Sequence, residues 1–139
     1  MNRDNVRAVR DMLTRVPEDH FNMDNWLEDA DFRSYPIGQA LKEFEEIGED
    51  RILQDCGTTA CLWGWIVATG TCPPEFRSCP GDTASWLDLP EAIFFVADLR
   101  DDWQEAFDEE GAQAAVMIDL LDSLLEGEPF PHPYDDVDD

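Results

Sequence analysis

The chain has 139 residues, of which 33 are acidic and 9 basic, a formal net charge of −24. A surface that negative repels nucleic acid and anionic membranes and attracts basic protein surfaces or cations. A hydrophobic content of 43% with five tryptophans excludes wholesale disorder, and a single domain of this length buries about two thirds of its unfolded surface, enough for a core without staples.

Residues 3–15 predict a helix, with Val6, Val9, Leu13 and Val16 near helical spacing and Pro17 as the stop. The opening Met1-Asn2-Arg3-Asp4 has no apolar signal core, and no window approaches a membrane span. Cytoplasmic residence is therefore expected, in the host cytoplasm if the chain is phage-encoded, with stable disulfides disfavoured. Residues 17–31 form a polar connection anchored by Phe21 and Trp26, with His20 expected in solvent. The cleanest helix spans 36–47. Pro36 suits its first turn, Ile37, Ala40, Leu41, Phe44 and Ile47 share a face, and Gly48 ends it. Residues 50–54, around Arg51, Ile52 and Leu53, are the one candidate for a short β element.

The third helix is expected over about 59–69, capped by Thr58 and ended by Gly70. Its body is apolar on every side and belongs at the centre of the core. Gly64 inside it costs about 1 kcal/mol relative to Ala, which close approach of a neighbouring helix would offset. Residues 71–82, with Pro73, Pro74, Pro80 and Gly81, read as a loop. Asp82 or Thr83 would cap a short helix through Leu87, and Asp88 with Glu91 would form a capping box opening another through Ile93, Phe94 and Ala97. The last helix covers about 110–126 and stops before Gly127. The expected fold is thus all-α, a compact bundle of about five helices around the 59–69 helix. It forms one domain over residues 1–127, followed by a Pro-rich acidic tail over 128–139 that should be extended and mobile.

The run Cys56-Gly57-Thr58-Thr59-Ala60-Cys61-Leu62-Trp63-Gly64-Trp65 resembles a C-G-T-x-A-C-x-x-G-W pattern in a loose group of small bacterial and phage proteins, where it opens a central helix. Pro17, Phe21, Met23 and Trp26 upstream, and Leu87-Asp88-Leu89-Pro90-Glu91 downstream, are similar to that group too. The resemblance implies an α-helical scaffold and carries no activity; its phage association favours a host-interaction role.

Charge is unevenly distributed. Residues 1–51 hold seven bases and thirteen acids, a net of −6, whereas residues 52–139 hold only Arg77 and Arg100 against twenty acids, a net of −18. The acids gather over 98–110 and in the last five residues. If 98–110 is helical, Asp98, Asp102, Glu105 and Glu109 form one stripe, each four-residue step rising about 6 Å, a spacing of the same order as backbone phosphates. With exposed Trp103 and Phe107 interleaved, the candidate partner-binding residues are Asp98, Asp101, Asp102, Trp103, Glu105, Phe107, Asp108, Glu109 and Glu110.

Other chemistries are weaker. Cys56 and Cys61 at a helix entry would have lowered pKa values, but Asp55 opposes a thiolate and the spacing is not C-x-x-C. Cys56, Cys61, Cys72 and Cys79 as a zinc set are separated by gaps longer than zinc pairs favour, and Cys72 with Cys79 would close the Pro-rich loop only in an oxidising setting. His20 and His132 adjoin no nucleophile motif. No phosphate loop or basic stripe supports direct nucleotide or nucleic-acid binding, no calcium loop is present, and close carboxylate pairs are uninformative among so many acids.

The sequence therefore points to a non-enzymatic, cofactor-free acidic inhibitor or adaptor that occupies a basic groove of a nucleic-acid-handling protein or complex. It would act partly by mimicking nucleic-acid charge, as a phage anti-defence or anti-CRISPR-like protein would. The alternatives are a cysteine-based zinc or redox protein, and an acid-rich housekeeping domain from a high-salt organism, for which the single lysine, Lys42, speaks.

Overall fold

A computed structural model describes residues 1–31, 33–53, 58–108 and 112–131. Over these residues the architecture is all-α. The helices are α1 (Arg3–Leu13), α2 (Ile37–Ile47), α3 (Asp50–Leu53), α4 (Leu62–Ala68), α5 (Pro80–Leu87), α6 (Asp101–Phe107) and α7 (Gln113–Leu125), joined in part by short 3-10 turns. Extended pairing among the described residues is limited to isolated bridges that tie Phe21 and Glu28 to Ala60 and Thr59, and Glu28 to Ser34.

The first and last long helices pack on each other. The Asn2 side chain caps α1 by accepting from the Asn5 amide at 3.2 Å, and the helix buries Val6, Val9, Met12 and Leu13. α7 buries Ala114, Met117, Leu120, Leu121 and Leu124, a repeat of three and four residues that makes one apolar face. Two arginines fasten the pair at its edge. Arg10 grips Asp122 with two nitrogens, at 2.8 and 3.3 Å, and Arg3 donates to the Leu125 carbonyl at the electronegative end of α7. The other end of α7 has Ala112 at the capping position, which offers no side-chain acceptor. The Glu18 carboxylate takes over, accepting from the amides of Ala114 at 2.9 Å and Ala115 at 3.0 Å.

At the centre lies α4, every residue of which is buried. It is shorter at its start than the expected 59–69 helix. Thr59 and Ala60 are drawn instead into extended pairing, with amide–carbonyl bonds of 2.8 and 2.9 Å between Thr59 and Glu28 and of 3.0 and 3.1 Å from Ala60 to Asn22 and His20. Cys61, not Thr58, holds the capping position. Gly64 is where the core is tightest. A Cβ there would sit 2.7 Å from the Trp26 carbonyl oxygen and 3.2 Å from Phe44 of α2. The close neighbour is thus a loop backbone as well as a helix.

Several other boundaries depart from the sequence expectation. Residues 50–53 are helical rather than extended, because Gly48 takes φ +78 and the chain turns at once, with the Arg51 amide bonding back to the Gly48 carbonyl. The helix through Leu87 begins at Pro80, whose missing N–H is no loss in a first turn, and Thr83 is buried inside it rather than capping it. Asp88 closes that helix in the left-handed conformation (φ 55, ψ 46) and opens nothing, since Pro90 follows. Residues 91–94 and 96–98 are two 3-10 turns in place of one helix. The start of the tail is docked: Phe130 packs on the core and the Pro131 carbonyl accepts from the Arg100 amide at 2.9 Å. The expectation of a mobile tail concerns 132–139 otherwise, which lie outside the described residues.

The crowding at Gly64 gives a paired test. Gly64→Ala gains about 1 kcal/mol of helix propensity but must displace a backbone carbonyl, so it should lower unfolding free energy in urea by about 1–3 kcal/mol. Gly38→Ala in α2, where a Cβ meets nothing within 4 Å, should leave stability unchanged or raise it by up to about 1 kcal/mol.

Candidate functional site

The acidic segment is built in two pieces. After the 3-10 turn Val96–Asp98, Leu99 adopts extended backbone and is completely buried, which anchors the chain before Arg100 starts α6. Gln104 reinforces this junction by donating to the carbonyls of Ala97 at 3.3 Å and Leu99 at 2.6 Å. Asp98 consequently stands outside the helix, and the expected stripe of Asp98, Asp102, Glu105 and Glu109 is interrupted at its first step.

Within α6, helical spacing sorts the residues by face. Phe107 is buried at 2% exposure and Trp103 is half-buried against the core, so neither is the exposed aromatic that the sequence suggested. Four residues apart, they form the inward face. Asp101, Glu105 and Asp108, at i, i+4 and i+7, are exposed and form the outward row. Asp102 is exposed beside that row, but its charge is partly matched. The Arg100 guanidinium holds both carboxylate oxygens, at 2.7 and 3.0 Å, and keeps the Asp102 carboxyl below the usual carboxylate range against a smaller opposing effect of burial. Glu109 and Glu110 lie outside the described residues.

The other base of the C-terminal half is also turned to structural use. Arg77 donates to the Cys72 carbonyl at 2.9 Å. The carboxylates of α6 therefore face solvent with their nearest arginine already paired, and the field they project is anionic.

The cysteine chemistry looks different in three dimensions. Cys61 is enclosed in the core, and burial pushes its thiol up to about 11, outweighing the amides of Gly64 and Trp63 that favour the thiolate. Burial likewise raises Cys72, with Arg77 pulling the other way. Cys61, Cys72 and Cys79 are free thiols, and only Cys79 is exposed. Cys56 lies outside the described residues. Among the described residues no three His, Cys, Asp or Glu side chains converge as a metal site would require. His20, expected in solvent, is partly buried. Its Nδ1 lies 2.7 Å from the Thr58 carbonyl and must donate to it, while its own carbonyl accepts from the Trp65 indole at 3.0 Å. His132 lies outside the described residues.

A cavity of about 140 Å³ is lined by Met23, Asp24, Asn25, Trp26, Phe94 and Phe95. Trp26 meets Trp63 edge-on at 5.4 Å and Phe95 at 5.8 Å, with the ring planes near perpendicular in both cases. Nothing in the sequence paired residues 23–26 with 94–95. The only available signal was an aromatic, Trp26, in a polar connection.

The thiol environments have a direct chemical readout. In a Cys56→Ala background, one thiol, that of Cys79, should react quickly with a disulfide reagent under native conditions, and all three only after denaturation. Fast native modification of Cys61 would contradict its burial.

No protein-family model, curated protein or solved structure matches the chain, so its function has to be read from its own charges and surfaces.

Proposed function

We propose that the protein is an acidic binding protein that occupies a basic groove on a nucleic-acid-handling protein, acting as an inhibitor or adaptor by presenting nucleic-acid-like charge. The observation that carries this reading is the exposed row of Asp101 and Glu105 on α6 and Asp108 at its C-cap, held outward because Trp103 and Phe107 are held inward. The steps of that row advance about 6 and about 4.5 Å along the helix axis, of the same order as the separation of successive phosphates. Asp98 and Asp102 flank it. Charges at that spacing steer a basic partner from a distance and fix its register on contact.

Two features support binding over catalysis. The carboxylates are solvated, without the burial that tunes a general acid. The thiol best placed at a helix entry, Cys61, is held protonated in the core, which disfavours the cysteine-based alternative. Among the described residues no helix is long and apolar enough to cross a membrane. The phage anti-defence form of the proposal draws on the resemblance of residues 56–65 and on nothing further.

The test is capture of partners from nuclease-treated bacterial lysate across a salt series, with wild type and the Asp101→Asn/Glu105→Gln/Asp108→Asn variant side by side. Nucleic-acid-binding proteins should be retained at low salt, released as salt rises and displaced by added duplex DNA or RNA. The variant should bind at least about tenfold more weakly with its melting temperature unchanged or raised, since self-repulsion falls. Retention that ignores salt, nucleic acid and the triple substitution would sink the proposal.

A further inference from the structure

We propose that the cavity bounded by Met23, Asp24, Asn25, Trp26, Phe94 and Phe95 receives an arginine side chain presented by the basic partner. This rests on the binding reading above and supplies the short-range grip that exposed aromatics on α6 were expected to give. The volume, about 140 Å³, suits a guanidinium with its adjoining methylenes and falls below the several hundred Å³ typical of larger ligands.

The wall chemistry selects a cation. Trp26 and Phe95, both in the lining, stand edge-to-face at 86° with centroids 5.8 Å apart, so two aromatic rings converge at the cavity. Aromatic ring faces attract cations, Trp most strongly, and converging rings are the usual cage for a cationic head. Asp24, an exposed residue of the lining, adds an acidic side chain, and no lysine or arginine among the described residues forms an ion pair with it. An anion would meet that carboxylate and find no basic side chain in the lining. Between the two natural cations, guanidinium is the better fit, because it is planar, stacks on a ring and is more weakly hydrated than ammonium.

The walls are also held in place before any ligand arrives, which lowers the ordering cost of binding. The Met23 amide donates to Gln113 Oε1 at 2.7 Å and the Asp24 amide to Asn22 Oδ1 at 2.8 Å. Asn25 is fixed at both ends of its amide, donating to Glu28 at 3.2 Å and accepting from Ser34 at 2.8 Å. Trp26 is braced by Trp63, and its carbonyl sits over Gly64. On the opposite wall, Phe95 immediately precedes the 3-10 turn that leads into the acidic segment. Phe95 and the α6 acids are thus separated by only a few residues of chain.

The experiment is an NMR titration of the full chain with N-acetyl-arginine methylamide, using the citrulline analogue as a neutral isostere. The Trp26 indole N–H is assigned by its loss in Trp26→Phe. The arginine probe should shift that resonance and the amides of Phe94 and Phe95 saturably. Citrulline should bind at least about tenfold more weakly, as should arginine to Asp24→Asn and to Phe95→Ala. Spectra of those two variants that stay native elsewhere exclude misfolding as the cause. The Asp101→Asn/Glu105→Gln/Asp108→Asn variant should keep the Trp26 response. An unmoved Trp26 resonance, an equal response to citrulline, or full affinity in both cavity variants would overturn the inference. If the cavity fails while basic proteins are still captured, only this subsite falls. If arginine enters but no basic protein is captured, the guanidinium site stands and the wider reading falls.

Discussion

The whole arrangement depends on burying α4. Seven residues, two of them tryptophan, lie in the interior without a single charged side chain, so every polar group they bring must find a partner there. The Trp63 indole donates to Thr83 Oγ1 at 3.1 Å, and the Thr83 hydroxyl donates in turn to the Phe76 carbonyl at 2.6 Å. The Trp65 indole donates to the His20 carbonyl at 3.0 Å. A buried donor left without a partner costs about 1–3 kcal/mol, so these bonds fix where the 3-10 turn Pro74–Phe76, α5 and the 17–31 connection can sit. Gly64 adds the steric half of the constraint, because only a residue without Cβ lets the Trp26 carbonyl come so close. The loop that forms the cavity wall is thereby set by the core.

The same core explains how so acidic a chain tolerates its charge. Self-repulsion of the surface acids opposes compaction, and the apolar contacts of α1, α4 and α7 oppose it in turn. Five of the nine bases serve structure, Arg3 among them. Arg10 ties α1 to α7, Arg51 bonds Glu43 at 2.6 Å and Tyr35 at 2.9 Å, and Arg77 and Arg100 hold their own loops and helix start. With these cations engaged internally, the outward surface of the C-terminal half is dominated by carboxylates. The surplus anionic charge is a property of this whole distribution.

On the proposed binding reading, long-range attraction and short-range fit come from different places. The α6 row is exposed and solvated, which suits steering but makes each exposed ion pair worth little. The Trp26–Phe95 corner is partly enclosed, where a cation loses water and a ring contact is worth more. The α6 acids and the aromatic corner are the two features that the proposed binding reading assigns to a partner.

The sequence alone determined the all-α class, the approximate spans of α1, α2 and α7, the burial of the 62–68 segment and the concentration of acid after residue 52. These are local properties: a periodicity of 3.6, a run of apolar residues, a glycine or proline at a boundary, a charge count. Tertiary structure decided the rest. It turned Thr59 and Ala60 from helix to pairing partners of Glu28 and His20, used Asp88 to close a helix, and broke the acidic stripe at Leu99 because that side chain is swallowed by the core. It drew Phe107 inward and capped α7 with Glu18, 96 residues away from Ala114. It also brought residues 23–26 against 94–95 to make the cavity. A sequence pattern reports which face of an element is apolar; which distant backbone that face meets is settled by tertiary packing and by the pairing of polar groups such as the Trp63 and Trp65 indoles.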